Sequence, residues 1–216
     1  MAAAADRAGL RQRQHLLAAA ARLAARRRLA GAPPRAAGPP GRGGPDRLVA
    51  GERGQRQCPG KKGGPATGPN PTDRGKLGSK HHVSSDRQGR PLAAAVTAAN
   101  RPDHTVFEPL VERIPPIKRP RGRPRKRPEQ LHADKGYDYR HCRAHLRRRG
   151  IKARIARKGV ESTTRLGRHR WVVERTLAWL HRFRRLTIRY ERDDRLHQAF
   201  LDLGCALICL NFLRGP

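Results

Sequence analysis

Acidic residues are scarce in this chain. Seventeen Asp and Glu stand against 49 Lys and Arg in 216 residues, a net charge of +32. Such an imbalance disfavours basic partners and points to nucleic acid as the commonest acidic one. Aromatic residues are equally thin. Two Trp, three Tyr and four Phe are present, and none precedes Phe107. A core with so few rings is small. The four cysteines, Cys58, Cys142, Cys205 and Cys209, form no CxxC pair. Cys205 and Cys209 lie four apart on an apolar helical pattern, which reads as core packing. No run of about 18 consecutive apolar residues occurs, so no membrane span is expected. The chain reads as reduced and cytoplasmic. The Ala- and Arg-rich start, with the apolar stretch Leu16–Ala21, has the look of a transit or signal segment but lacks a long apolar centre.

The composition shifts along the chain. Ala2–Leu29 has helical propensity without a clean apolar face, and Gly31–Asn70 is rich in Gly, Pro and Arg and reads as disordered. Lys80–Ser85 and Pro91–Thr97 are strand candidates around the turn signal Asp86–Gly89. Val106–Arg113 reads as a helix, Leu131–Ala133 as a strand, Tyr139–Arg149 as a helix ended by Gly150, and Ile151–Ala156 as a strand. Arg168–Arg185 and Leu196–Leu213 read as long helices. Strands interleaved with helices predict an α/β or α+β domain. Between its two halves, residues 114–128 form a basic, proline-rich insertion.

Two acids occupy informative places. Asp134 follows the short apolar run Leu-His-Ala and precedes Lys-Gly, where a strand ends and the chain turns. It is either a plain turn aspartate or a metal-binding acid at the rim of a cleft. Glu174 lies on the Arg168–Arg185 helix with Arg170 one turn earlier, so an ordinary i,i+4 ion pair is the simpler account of it.

Together these blocks carry more. The chain contains Asp73-Arg-Gly-Lys-Leu-Gly-Ser-Lys-His-His82, Asp86-Arg-Gln-Gly-Arg-Pro-Leu92, Ala98-Ala-Asn-Arg-Pro-Asp-His104, Ala133-Asp-Lys-Gly-Tyr-Asp138, Arg154-Ile-Ala-Arg157, Arg170-Trp-Val-Val-Glu-Arg-Thr-Leu-Ala-Trp-Leu180 and Phe183-Arg-Arg-Leu186. In that order and spacing they resemble the catalytic domain of bacterial insertion-sequence transposases of the DDE class, over residues 61–213. The resemblance implies a ribonuclease-H-like mixed sheet with flanking helices. It implies metal-dependent cleavage and strand transfer at the ends of a DNA element, with two divalent metals, usually Mg²⁺, held by three carboxylates about 3.5–4 Å from one metal to the next. Asp134 matches the second carboxylate and Glu174 the third, as catalytic and metal-binding residues. Arg170 matches an arginine that contacts DNA or phosphate. Lys80, Arg121, Arg123, Arg125, Lys126 and Arg127 are further DNA-binding candidates. The partner implied is double-stranded DNA at terminal repeats, bound by a homo-oligomer, with no membrane.

The first carboxylate of the pattern has no counterpart. Its place reads Gly54-Gln-Arg-Gln-Cys-Pro-Gly60, with no acid and no strand pattern. The sheet is therefore expected to lack its first strand. That segment can be encoded as GGA CAG CGC CAA TGT CCG GGC. Moved by one base behind GT, the same bases read Val-Asp-Ser-Ala-Asn-Val-Arg, the family's text. Residues 1–60 are accordingly read as low-complexity, disordered or out of frame, with the N-terminus marginally helical at most. Asp73 and Asp86 already match other positions of the pattern. A chain with two of three ligands is expected to bind DNA with weak or absent strand transfer. The alternative is a non-catalytic basic DNA-binding protein, for which Arg121–Arg127 resembles an AT-hook; a solvated basic loop is the simpler account. The histidines, His81 and His82 included, show no metal-ligand spacing.

Overall fold

The computed structural model describes residues 49–117, 123–159 and 163–214, with side chains from Arg56 onward and not over 161–170. The predicted helix at Ala2–Leu29 and the residues 31–48 of the Gly/Pro/Arg stretch lie outside the described residues.

Among the described residues, six strands form one mixed sheet: β1 (Val49–Pro59), β2 (Gly68–Pro69), β3 (Leu77–Asp86), β4 (Pro91–Ala98), β5 (Gln130–Ala133) and β6 (Lys152–Ile155). β3 pairs with β4 and with β1 in antiparallel fashion, while β1–β5 and β5–β6 are parallel. The two-residue β2 extends the outer edge of β3. The order β4-β3-β1-β5-β6, antiparallel on one side of β1 and parallel on the other, is the ribonuclease-H-like arrangement. Among the described residues, five α-helices flank it: α1 (Phe107–Glu112), α2 (Arg140–Arg148), α3 (Thr163–Leu180), α4 (Arg184–Thr187) and α5 (Asp194–Arg214).

The first strand is present, which corrects the expectation that the sheet lacks it. Ladder hydrogen bonds come from backbone groups, and Val49–Cys58 holds no proline to interrupt them. β1 sits between β3 and β5, so both of its edges are paired. The sheet thus takes in residues upstream of Lys61.

The segment Gly60–Asn70 is likewise ordered rather than loose. Arg189, only 1% exposed, holds it in place. Its guanidinium donates to the carbonyls of Pro65 (2.7 Å), Ala66 (2.9 Å), Glu191 (2.9 Å) and Arg192 (3.1 Å), and to Ser79 Oγ (2.8 Å). Its backbone N–H donates to Pro59 O and its carbonyl accepts from Lys61 N, both at 2.9 Å. Gly64, at φ +106°, lies against the carbonyl of Arg192, where a Cβ has no room.

Both faces of the sheet are covered. On one, Val83 and Ala94 meet Val173, Leu177 and Leu180 of α3, Leu186 of α4 and Leu201, Cys205 and Ile208 of α5. On the other, Ala93 and Ala95 meet Val106 and Leu110, while Leu131, Ala133 and Ile155 meet Phe107, Cys142 and Leu146. Alternating residues of β4 thus serve opposite layers. Small alanine side chains on β4 leave room for the helices of both layers.

The predicted helices and strands are present with shifted ends, except that Arg168–Arg185 is not one helix: α3 ends at Leu180 and α4 begins at Arg184 after a turn over 181–183. α5 is long and apolar enough to cross a membrane by composition, with a mean hydropathy of 1.5 over its best window. No uninterrupted apolar run is needed to reach that mean. Here Leu201, Cys205 and Ile208 of α5 share a core cluster with Ala94 of β4, Gly204 lies against Leu180, Phe183 and Leu186, and the buried Gln198 accepts from Val96 N and donates to Ala94 O.

Arg189→Leu is expected to leave several buried carbonyls without a donor, each costing about 1–3 kcal/mol. Denaturant unfolding should show a loss of roughly 3 kcal/mol or more; a loss below about 1 kcal/mol would contradict this role.

Candidate active site

β5 is four residues of which Leu131 and Ala133 are buried, and its end is fixed by a turn. Asp134 starts that turn, and its carboxylate accepts the N–H of Lys135 at 2.6 Å. Tyr137, buried beneath, packs against Phe107. Asp138 closes the turn. It accepts from Arg143 Nε and Nη2 at 2.9 and 2.7 Å, and from Lys158 N at 3.0 Å. The Lys158 amide and the Arg143 guanidinium hold its carboxyl below the usual aspartate range. Asp134 thus stands half-buried at the carboxyl end of a strand, on a turn fastened at its far side.

Glu174 lies on α3, solvent-exposed, between the buried Val173 and Thr176. α3 is anchored at this level. Thr176 Oγ1 donates to Gly89 O (2.8 Å) and Arg175 donates to Gln88 O (2.8 Å), which ties the helix to the β3–β4 turn. Arg175 also stacks between Trp171 and Trp179. The helix crosses β1 and β3, so the elements that carry Asp134 and Glu174 both adjoin β1.

The register of β1 then decides what faces Asp134. Arg53 pairs with Ala133 in parallel, so Gly54 is level with Asp134. Glycine offers no ligand. A bulge separates Ala50 from Arg53, and Glu52, the one acid within β1, lies in it. Reading from Gly54 onward passes over Glu52; only the strand pairing draws notice to it.

The other predicted residues divide. Lys80 is buried, donating to Asp103 Oδ1 (2.8 Å) and Arg101 O (2.9 Å). This corrects its placement as a DNA contact, since the internal ion pair occupies the ammonium. Arg123, Lys126 and Arg127 are exposed and Arg125 is half-buried. Arg125 closes a bridge to Ile117, Lys126 lies 3.7 Å from Glu112, and Arg127 donates to Arg149 O (3.5 Å). Arg121 and the side chain of Arg170 lie outside the described residues.

Residues 50–212 match the sequence profile described as the transposase DDE domain. The chain is 50% identical over 205 residues to a putative transposase for insertion sequence element IS402 from Burkholderia cepacia, covering 95% of this chain and 97% of that one. It is 31% identical over 152 residues to the transposase for insertion sequence element IS1106 from Neisseria meningitidis serogroup B, covering 65% of this chain and 48% of that one. The chain belongs to the DDE-domain transposases. The family generally uses a divalent metal and acts on DNA. The alignment to the first relative leaves too few residues outside it to stop at Lys61, so it reaches into the segment upstream.

Within this DDE domain, sequence reading overlooked a buried polar cluster. His81 of β3, His197 of α5 and Cys58 of β1 are all essentially inaccessible to solvent. His181, at the end of α3, joins them, with its Nε2 3.3 Å from His81 Nδ1. Their sequence separations give no ligand pattern; three different elements bring them together. Burial pushes all three histidines below their ordinary values; neighbouring imidazoles add to this at His81, Arg56 and then His197 at His181, which falls to about 4, and Arg189 at His197, where Glu191 opposes it. Neutral imidazole is therefore favoured in the folded state. The unfolded chain binds more protons below about pH 6.5, so stability falls as pH drops through that value. Urea unfolding from pH 7.5 to 4.5 is expected to show this decline, with a shallower slope for His181→Gln. An unchanged unfolding free energy across that range would count against a neutral cluster.

Proposed function

We propose that the chain is an insertion-sequence transposase that binds the terminal repeats of its element as double-stranded DNA, in the cytoplasm and as a homo-oligomer, with impaired strand transfer. The observation that carries the impairment is the β1–β5 register, in which glycine lies beside Asp134. Asp134 and Glu174 are hard oxygen donors of the kind Mg²⁺ takes. A centre of three carboxylates in the family's pattern does not fit this donor set, because the strand position between them offers no oxygen side chain. Asp134 and Glu174 remain the catalytic and metal-binding candidates, and Arg170 the phosphate contact.

DNA binding draws support from charge. From residue 61 onward, 37 Lys and Arg stand against 14 Asp and Glu, so the basic excess belongs to the domain as well as to the segment before it. Arg123, Lys126 and Arg127 are its exposed members in the insertion. Arg121 and Arg125 complete the candidate basic loop. Lys80 is left out because it is internally paired. We infer also a one-base displacement of the frame upstream of Lys61 relative to an ancestral Val-Asp-Ser, one that the relative aligned over 95% of this chain must share, which sequencing of both genes decides.

A second reading is favoured by the bulge in β1: Glu52 supplies the third carboxylate from a neighbouring position. Cleavage of terminal-repeat DNA in Mg²⁺ separates the two. With an impaired site, the chain binds DNA, cuts near background, and gains at least tenfold in rate through Gly54→Asp. Robust cutting abolished by Glu52→Gln would establish the second reading instead. Robust cutting indifferent to Glu52→Gln would refute both. Binding itself should weaken steeply with salt.

A further inference from the structure

We propose that Cys58, His81 and His197 form a zinc site that clasps β1, β3 and α5 together. His81 Nε2 and His197 Nε2 lie 2.9 Å apart, and Cys58 Sγ lies 3.6 Å from the first and 3.9 Å from the second. With Zn–N near 2.0–2.1 Å and Zn–S near 2.3 Å, tetrahedral coordination separates two nitrogens by about 3.3 Å and sulfur from nitrogen by about 3.6 Å. The three donors therefore need only sub-ångström adjustments. One sulfur and two imidazoles are a donor set suited to zinc and not to Mg²⁺.

The surroundings orient these ligands. Glu191 Oε2 lies 3.1 Å from His197 Nδ1. A carboxylate accepts, so Nδ1 carries the proton and Nε2 presents its lone pair to the centre. Arg185, 3.0 Å from the other oxygen of Glu191, keeps that carboxylate in place. On the far side, His81 Nδ1 faces His181 Nε2 at 3.3 Å. When His81 Nδ1–H donates there, its Nε2 is also free for the ion. Coordination releases the Cys58 thiol proton to solvent and forms one Zn–S and two Zn–N bonds. The thiolate and the Glu191 carboxylate are the anionic groups that face the dication, with Arg185 on Glu191 and Arg189 near Cys58 as the cationic ones. Cys58 lies four residues beyond Gly54 on β1, about 13 Å along the strand, so the site is separate from the level of Asp134. It ties together elements far apart in sequence, as structural zinc does.

The competing account is a metal-free chain of hydrogen bonds, in which His181 donates to His81 and His81 donates to His197. Untagged full-length protein, stripped with chelator, is titrated with Co²⁺ and then with Zn²⁺. The zinc site requires a thiolate-to-cobalt charge-transfer band saturating at one equivalent, bleached by Zn²⁺. Cys58→Ala must abolish it, His197→Gln must weaken Co²⁺ binding at least tenfold, and Asp134→Asn must leave both unchanged. Absence of the band in the unmodified protein establishes the hydrogen-bonded chain and overturns the site. A band that persists in Cys58→Ala assigns the thiolate elsewhere, for instance Cys142 beside His141, and overturns it equally. Should Cys58→Ala not fold, the unmodified protein and His197→Gln decide between the same two outcomes.

Discussion

The backbone pairing of β1 governs the rest of this molecule. It joins an antiparallel half-sheet to a parallel one, and each half offers it an unpaired edge. Buried N–H and C=O groups left without partners are costly, and any strand that can fill the slot relieves both edges together. Val49–Pro59 fills it with Gly, Arg and Gln, residues of weak strand preference. The pairing with β5 then fixes what lies beside Asp134, and the pairing with β3 carries Cys58 to Ser79, near the two buried histidines.

A second constraint is the high positive charge. A domain this basic must keep its guanidinium groups either solvated or saturated with acceptors. Most are at the surface. Arg189 takes the other course, with carbonyls from the Pro65–Ala66 loop and from Glu191 and Arg192 around it. A charged group thereby does work that apolar packing cannot do in a loop of Gly, Pro and Lys. Lys80 is a parallel case, neutralised by Asp103 where β3 runs under the Arg101–Pro102 corner. Basic residues in this chain thus divide between exposed positions and internal fastening, and burial rather than charge separates them.

The acidic candidates show the same division between local and distant cause. Asp134 and Glu174 are each recognisable from their immediate neighbours, because a strand end followed by Lys-Gly and a helix with a buried stripe are local patterns. Their relation to β1 is not local. Glu52 illustrates it: in the chain it is one acid among arginines and glycines, and in the sheet it lies in a bulge one residue before the Arg53–Ala133 pair.

The sequence by itself determined the order and kind of most elements, the resemblance of residues 61–213 to DDE transposases, and the two acids worth attention. These rest on short-range periodicity, turn residues and ordered motifs. Only the tertiary structure decided that Gly54–Pro59 belongs to a central strand, that Lys80 is an internal ion pair, and that Cys58, His81 and His197 converge. Each of those depends on pairing between segments 20 to 140 residues apart. Propensity cannot register such pairing, because the hydrogen-bond partners that make a poor strand sequence acceptable come from the rest of the fold.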